Sequence, residues 1–160
     1  MPIGAVIGGG LVGAMDIVTI STPRDIDRAV AQLNILQFNA IHEKCRPISL
    51  RRKPPGFASL LQAIIGQQVS VASAAAIWNR LEAAGLCDET AMTQATVAQL
   101  ARLGLSRPKI RYAQALAMSG LDYATLADLP DADVLARLTA ITGIGRWTAE
   151  VYALQCLGRA

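Results

Sequence analysis

The sequence has 160 residues, a net charge of +3 and a pI near 9.0. At this length a chain forms one domain that buries roughly two thirds of its unfolded surface, which excludes a second full domain. Hydrophobic residues make up 52% of the chain but aromatic residues only 4%, so the core must consist of Ala, Leu, Ile and Val. This composition favours closely packed helices, and we predict an all-α fold.

The small positive charge allows a polyanionic partner without requiring one. The cysteines Cys45, Cys87 and Cys156 form no Cys-x-x-Cys pair, so we expect buried thiols in a reducing cytoplasm rather than disulfides or a zinc site. The first charged residue is Asp16, and residues 1–15 lack the basic start of a secretory signal. We therefore expect neither export nor membrane insertion.

The first distinctive motif in the chain is Gly8 to Gly13, which fits the Gly-x-Gly-x-x-Gly pattern of dinucleotide-binding loops. Pro23 follows too soon for the crossover helix, and no later alternation of strands and helices supports a parallel sheet. We therefore favour a flexible segment over residues 1–22, with Met15 as an alternative start of the chain. The helical domain is predicted over residues 23–160.

Apolar residues recur at helical spacing along most of this domain. The first predicted helix runs from Arg24 to about Ile41. Five basic residues between Lys44 and Lys53 follow in a segment predicted to be extended, and a solvated loop is favoured there over a phosphate-contact strip. Further helices are predicted over residues 57–65, 71–81, 96–104, 106–120, 130–140 and 146–157, with Ser70 and Thr96 as N-caps.

The most informative feature is the turn Gly143-Ile144-Gly145, which opens the last helix. Glycines at a helix start let backbone N–H groups approach a phosphate closely, and the helix dipole favours the negative charge. Because a helix rather than a strand precedes the turn, residues 131–157 form a predicted helix-hairpin-helix that binds a DNA backbone without sequence specificity. Gly104-Leu105-Ser106-Arg107 repeats this pattern weakly, and chance could produce that repeat.

Four motifs in order resemble DNA-3-methyladenine glycosylase II, a family of the helix-hairpin-helix base-excision glycosylases. They span roughly Leu50 to Arg159 and are Pro54-Pro55-Gly56-Phe57, Ile65-Gly66-Gln67-Gln68-Val69-Ser70, Gly104-Leu105-Ser106-Arg107-Pro108-Lys109 and Ile144-Gly145-Arg146-Trp147-Thr148-Ala149. The resemblance implies an enzyme that flips an alkylated purine of the 3-methyladenine type out of double-stranded DNA and hydrolyses its N-glycosidic bond.

The resemblance also assigns roles to residues. Trp147 would stack the base in the pocket, with core packing as the alternative, and Gln68 would be the wedge of a groove-inserting loop. Without the resemblance, two roles for the Gln67 and Gln68 amides are equally compatible with the sequence: hydrogen bonds to nearby protein groups, or a position facing a ligand groove. The expected DNA contacts are Gln67, Gln68, Ser70, Arg107, Lys109, Gly143, Ile144, Gly145, Arg146 and Thr148. A monovalent cation, Na⁺ or K⁺, is implied at the main-chain carbonyls of Thr139, Ile141 and Gly143, and no other cofactor is expected.

Two departures from the family stand out. Val151 occupies a position that is aromatic in a well-known member, and Tyr152 lies about 100° further around the helix. The catalytic aspartate of the family follows a Leu-Gly-Arg like residues 157–159 and is expected beyond Ala160, so we predict no catalytic residue here, negligible activity and exposed apolar surface. Glu150 is instead predicted to pair with Arg146 on the helix surface.

The expected partner is double-stranded DNA containing alkylated bases. We expect the protein to be a monomer that binds this DNA in the cytoplasm, at the nucleoid, and that has no membrane partner. The alternative function is a non-catalytic helix-hairpin-helix module that binds DNA with a steep salt dependence and no preference for damage.

Overall fold

The computed structural model describes residues 19–33 and 35–159; the glycine motif at residues 8–13 and the alternative start at Met15 lie outside this part of the chain. The described residues are all-α, as predicted, and their only extended pairing is an isolated antiparallel bridge between Thr19 and Arg159. None of the helices in this part has the length and apolarity to cross a membrane. The helices are α1 (Pro23–Leu33), α2 (Leu36–Cys45), α3 (Phe57–Gly66), α4 (Val71–Ala83), α5 (Glu89–Gln94), α6 (Val97–Arg102), α7 (Arg107–Ala117), α8 (Asp131–Thr139) and α9 (Arg146–Tyr152), with a 3₁₀ turn at Thr125–Asp128 and a π-helical turn at Ala153–Leu157.

Helix α3 lies at the centre of the core. Its side chains Leu60, Leu61, Ile64 and Ile65 are buried, and it packs against α4, α7 and α9. Burying a side chain of this size stabilises the fold by about 1.5–3 kcal/mol. In the part of the chain that the structure describes, the buried hydrophobic residues all fall between Phe57 and Leu157, so this core is built from α3 onward.

The first predicted helix is in fact two helices, α1 and α2. Ile35 has extended backbone angles, φ −104° and ψ 111°, immediately before α2. The sequence signal for this break is Asn34, since asparagine competes with helical hydrogen bonds and favours turns. Asp27 joins the two helices, because its carboxylate lies 2.7 Å from His42 Nε2 and accepts a hydrogen bond of 2.9 Å from Arg46.

One side chain of the basic segment, that of Arg52, is used differently from either predicted role. Arg52 donates to the carbonyl oxygens of Cys156 (3.1 Å) and Ile20 (3.3 Å), while the Lys53 N–H donates to the Gln155 carbonyl (3.0 Å). The bonds to Cys156 and Gln155 satisfy carbonyl groups of the π-helical turn. The Arg52 side chain is therefore a structural contact, whereas Lys53 is exposed and bonds through its main chain.

Residues 19–22, which we assigned to the flexible segment, are bonded to the rest of the protein. The Ile20 N–H donates to the Gly158 carbonyl at 2.8 Å, and Asp25 accepts from the N–H groups of Ser21 and Thr22. Gly158 closes the last helix in the left-handed conformation, φ +77°, as the sequence indicates.

Most of the other predicted elements are confirmed. Ser70 caps α4, and Thr96 forms a capping box with Gln99 at the start of α6. Helix α5 was not predicted, although Asp88 caps it by accepting from the Ala91 N–H at 2.8 Å. Of the three thiols predicted to be buried, only Cys156 is; Cys87 is half-buried and Cys45 is exposed.

Candidate nucleic-acid interface

The turn between α8 and α9 has the geometry of a phosphate-binding hairpin. Gly143 adopts φ +94°, Ile144 is buried beneath the turn, and Gly145 is extended, φ −82° and ψ 168°, at the N-cap of α9. The first N–H groups of a helix have no partner within it and carry the positive end of its dipole. An anion can therefore approach the start of α9 along the backbone.

The hairpin rests on helix α7. A side chain at residue 143 would overlap the Tyr112 ring, so the position requires glycine both for its backbone angle and for its close packing. At Gly145 a Cβ atom would meet no atom within 4 Å. One glycine of the pair is therefore required by packing, and the other faces open space.

The hairpin borders an open groove of about 630 Å³. We call it the hairpin groove, and it is lined by Gln67, Gln68, Tyr112, residues 139–145 and Thr148. Its polar groups are amides, hydroxyls and main-chain groups. Among the described residues no carboxylate lines it, so the groove is chemically suited to an anionic ligand.

The two glutamines between α3 and α4 have different roles. Gln67 is half-buried, and its Nε2 donates to the Gly143 carbonyl at 3.0 Å and to Thr148 Oγ1 at 3.5 Å. Gln68 is exposed and holds a left-handed backbone, φ +56°, which costs a non-glycine residue about 1–2 kcal/mol. Gln67 is thus satisfied by the protein itself, while Gln68 projects from the loop.

Lys109 differs from the predicted phosphate contact. Its side chain is only 8% exposed, and Nζ donates to the Ile65 carbonyl at 2.5 Å. Burial lowers the pKa of Lys109. The ammonium ties α7 to the end of α3 and does not lie on the surface as a free cation. Arg107, at the start of α7, is exposed, as is the capping residue Ser70.

Arg146 and Glu150 form the surface pair that the sequence predicts. Arg146 Nε donates to Glu150 Oε1 at 2.8 Å, and both side chains are exposed. An exposed pair of this kind contributes little to stability. Arg146 is therefore free to exchange its carboxylate partner for a phosphate at small cost.

Trp147 does not pack in the core, which removes the alternative raised for it. Its side chain is 73% exposed and lies on one face of the last helical segment with half-buried Val151 and exposed Leu154. Tyr152 points into the protein, where its hydroxyl accepts from the Gly56 N–H at 2.9 Å. Burial raises the pKa of Tyr152 to about 12. The apolar face around Trp147 therefore contains one aromatic ring.

Arg111 is a candidate that the sequence analysis missed. Its guanidinium lies 5.3 Å from the centre of the Tyr112 ring, which lines the hairpin groove. Arg111 follows Arg107 by four residues on α7, and neither has a carboxylate within 4 Å among the described residues. The i, i+4 spacing of two arginines was the available signal.

The carbonyl groups implied for a monovalent cation all belong to residues that line the hairpin groove. The Ile141 carbonyl accepts from the Ile144 N–H at 3.0 Å, and the Gly143 carbonyl accepts from Gln67. Each carbonyl oxygen has two lone pairs, so both retain one. Hard oxygen donors of this type suit Na⁺ or K⁺, and the residues fit such an ion in donor chemistry.

The weak repeat at residues 104–107 has a similar backbone. Gly104 adopts φ +98°, Leu105 is buried, and Ser106 is extended before α7, φ −70° and ψ 157°. These angles parallel those of Gly143 and Gly145. The two turns are therefore similar in backbone conformation as well as in residue types, although the turn between α6 and α7 is shorter than that between α8 and α9.

A family model described as HhH-GPD superfamily base excision DNA repair protein matches residues 61–150. A DNA-3-methyladenine glycosidase from Bacillus halodurans is 31% identical, with a TM-score of 0.74, over 91% of this chain and 69% of that one. Two less similar structures share the fold. One is a Schizosaccharomyces pombe 3-methyladenine DNA glycosylase in complex with abasic DNA, with 24% identity and a TM-score of 0.58 over 82% of this chain and 64% of that one. The other is an Archaeoglobus fulgidus 3-methyladenine DNA glycosylase, with 23% identity and a TM-score of 0.69 over 86% of this chain and 51% of that one.

The chain thus spans between about half and about two thirds of the length of these structures. No curated protein sequence matches it.

Proposed function

The chain belongs to the HhH-GPD superfamily of base excision DNA repair proteins, and we propose that it recognises alkylated purines of the 3-methyladenine type in duplex DNA and flips them out of the helix. The observation that carries this proposal is the hairpin, with left-handed Gln68 beside it and exposed Trp147 just after it. The 31% identity to a DNA-3-methyladenine glycosidase supports the substrate class.

In this proposal the DNA backbone is bound first. The N–H groups at the start of α9 receive one phosphate, and the exposed side chains of Arg107, Arg111 and Arg146 face its neighbours. A monovalent cation at the carbonyl groups of Thr139, Ile141 and Gly143 would place a positive charge beside that phosphate. No base is read in this step, so binding depends on charge and salt rather than on sequence.

Base flipping then depends on Gln68 and Trp147. Extruding a base costs a few kcal/mol, which contacts in the pocket and in the vacated stack must offset. In this proposal the exposed Gln68 amide enters the stack and hydrogen-bonds the orphaned partner base. An alkylated purine carries positive charge, and the Trp147 indole face attracts it by about 0.5–2 kcal/mol through a cation–π interaction.

We further propose that this 160-residue chain binds DNA without measurable release of base. Hydrolysis of an N-glycosidic bond is promoted by a carboxylate at the sugar, which here would have to lie beside a base stacked on Trp147. The acid nearest to Trp147 in the sequence is Glu150, which is paired with Arg146. The same observation favours the alternative function, a non-catalytic DNA-binding module, and a preference for damage separates the two.

The test measures the affinity for two fluorescent duplexes, one undamaged and one with an abasic-site analogue, between 50 and 200 mM salt as a rough range. We expect tighter binding to the analogue, and we expect Gln68→Ala, which removes the amide proposed to enter the stack, to abolish this preference while leaving binding to undamaged DNA. Met118→Ala is the control, since Met118 is an exposed apolar residue at the end of α7. Equal affinity for both duplexes would support the module, and no binding would refute both proposals.

A second measurement follows free purines released from methylated duplex DNA. We expect no more from this chain than the same DNA releases without protein, because cationic alkylated purines also leave DNA spontaneously; release below means release above that level. Release would show that it contains a complete catalytic site and would contradict the proposed inactivity, while leaving the substrate class supported.

A further inference from the structure

The loop between α3 and α4 is held to the rest of the protein at two points. On one side Lys109 Nζ donates to the Ile65 carbonyl near the end of α3. On the other side Gln67 Nε2 donates to the Gly143 carbonyl in the hairpin. Gln68, the residue that projects from the loop, follows directly after Gln67.

We propose that Gln67 is a positioning residue that couples the hairpin to Gln68, so that gripping a phosphate and inserting Gln68 into the base stack occur together. This inference rests on the proposed function. It assigns Gln67 a role in transmitting position, in place of the direct DNA contact that the sequence suggested.

The bond is made in the middle of the hairpin. The peptide group after Gly143 is bonded on both sides, because the Ile144 N–H donates to the Ile141 carbonyl at 3.0 Å and the Gly143 carbonyl accepts from Gln67. The Gln67 amide fixes that carbonyl at 3.0 Å, and Thr148 Oγ1, buried in the first turn of α9, lies 3.5 Å from the same nitrogen. The Gln67 side chain therefore contacts both the hairpin and the start of α9.

Lys109 anchors the end of the helix that precedes Gln67. Because its ammonium is bonded to the Ile65 carbonyl in the last turn of α3, we expect a movement of the hairpin to shift Gln67 without moving that helix. Gln68 is joined to Gln67 by one peptide bond, so a shift of the Gln67 backbone also moves the start of Gln68. The left-handed backbone of Gln68 keeps its side chain turned out of the loop.

Gln114 offers a matched control. Its Nε2 also donates to a main-chain carbonyl, that of Ala95, at 3.0 Å and partly buried. It lies outside the hairpin groove. Loss of the Gln114 bond therefore tests whether any lost amide bond of this kind has the same effect.

The experiment uses a duplex with an abasic-site analogue opposite 2-aminopurine, whose fluorescence rises when the base is unstacked. Affinity is measured by anisotropy on the same sample. In Gln67→Met, which keeps the size of the side chain but removes the donor, we expect Kd for an undamaged duplex to stay within about twofold, while Kd for the analogue rises towards that value. The fluorescence rise should fall by about fivefold, within the range of couplings between sites, and Gln114→Met should leave both unchanged.

A second variant tests the donor role separately from stability. Gln67→Glu presents an acceptor to the Gly143 carbonyl at neutral pH and a donor once its carboxyl is protonated, near pH 4.3. The fluorescence rise should therefore be low at pH 7 and recover as the pH approaches about 4.3, whereas that of the original chain should not change in this direction.

The outcomes separate this inference from the proposed function. If the original chain does not bind the duplex, or binds without a fluorescence rise, the proposed function fails. If it does both but Gln67→Met behaves like the original chain, or Gln114→Met loses the fluorescence rise equally, the coupling is refuted.

Discussion

At the residue scale, Gln68 adopts a conformation that its side chain opposes. Its φ of +56° places Cβ against its own backbone, and the cost of about 1–2 kcal/mol is met by the packing of α3 and α4 on either side. Strain of this kind persists where the surroundings enforce it, and it is concentrated at functional positions. We therefore expect stability and function to oppose each other at this residue.

Gln68→Gly should raise the free energy of unfolding by about 0.5–1 kcal/mol, because relief of strain exceeds the extra entropy lost by glycine. The same change removes the amide and should abolish the preference for the abasic-site analogue. Urea denaturation and the duplex titration measure the two effects. A loss of stability would show that the left-handed backbone is not strained.

Arg111 differs from the other surface arginines because the Tyr112 ring holds its guanidinium beside the hairpin groove. Arg111→Ala should reduce the slope of log K against log salt by about one. Arg24→Ala is the control, since Arg24 is exposed on α1 and far from the hairpin in sequence. An unchanged slope in Arg111→Ala, or the same reduction in Arg24→Ala, would remove Arg111 from the interface.

At the scale of elements, the features predicted from sequence are those whose cause is local. The hairpin follows from the glycines at 143 and 145, and the start of α6 from the capping box of Thr96 and Gln99. The division between α1 and α2 had only Asn34 as a local signal. Helix α5 has a local cause too, its Asp88 cap, which the apolar pattern did not reveal.

The π-helical turn and the roles of Gln67 and Lys109 have no local cause. The turn presents its carbonyl groups to Arg52 and Lys53, which lie about 100 positions away. Gln67 bonds a carbonyl 76 positions away, and Lys109 bonds one 44 positions away. Such partners are known only once the chain is folded, so the sequence indicated polar side chains at the site but not which of them face DNA.

The two hairpin glycines give opposite predictions. Gly143→Ala should destabilise the protein by about 1–3 kcal/mol, because its Cβ would overlap the Tyr112 ring at a φ of +94°. Gly145→Ala should leave stability within about 0.5 kcal/mol but weaken DNA binding, because its Cβ projects into the open space where a phosphate must approach. Denaturation and anisotropy of both variants test this pair. Equal effects on stability would contradict the packing argument.

At the scale of the whole molecule, the protein has a well-buried part and a weakly buried part. Within residues 19–33 and 35–159, every buried hydrophobic residue lies between Phe57 and Leu157, and all lining residues of the hairpin groove belong to the same stretch. Helix α1 buries no residue and α2 only His42, while several apolar side chains of this pair remain exposed. The site is therefore carried by the part of the fold with the most buried surface.

This division predicts unequal opening of the structure. Local opening is easiest where few apolar contacts are buried, so amides of α1 and α2 should exchange with solvent faster than those of α3 and α7 in hydrogen-exchange mass spectrometry. Asp27→Asn weakens the links to His42 and Arg46 and should speed exchange in α1 and α2 alone, with DNA affinity unchanged. Protection of α1 equal to that of α3 would contradict the division. Weaker DNA binding by Asp27→Asn would instead show that the first two helices support the interface, because their loosening would then reach the hairpin groove.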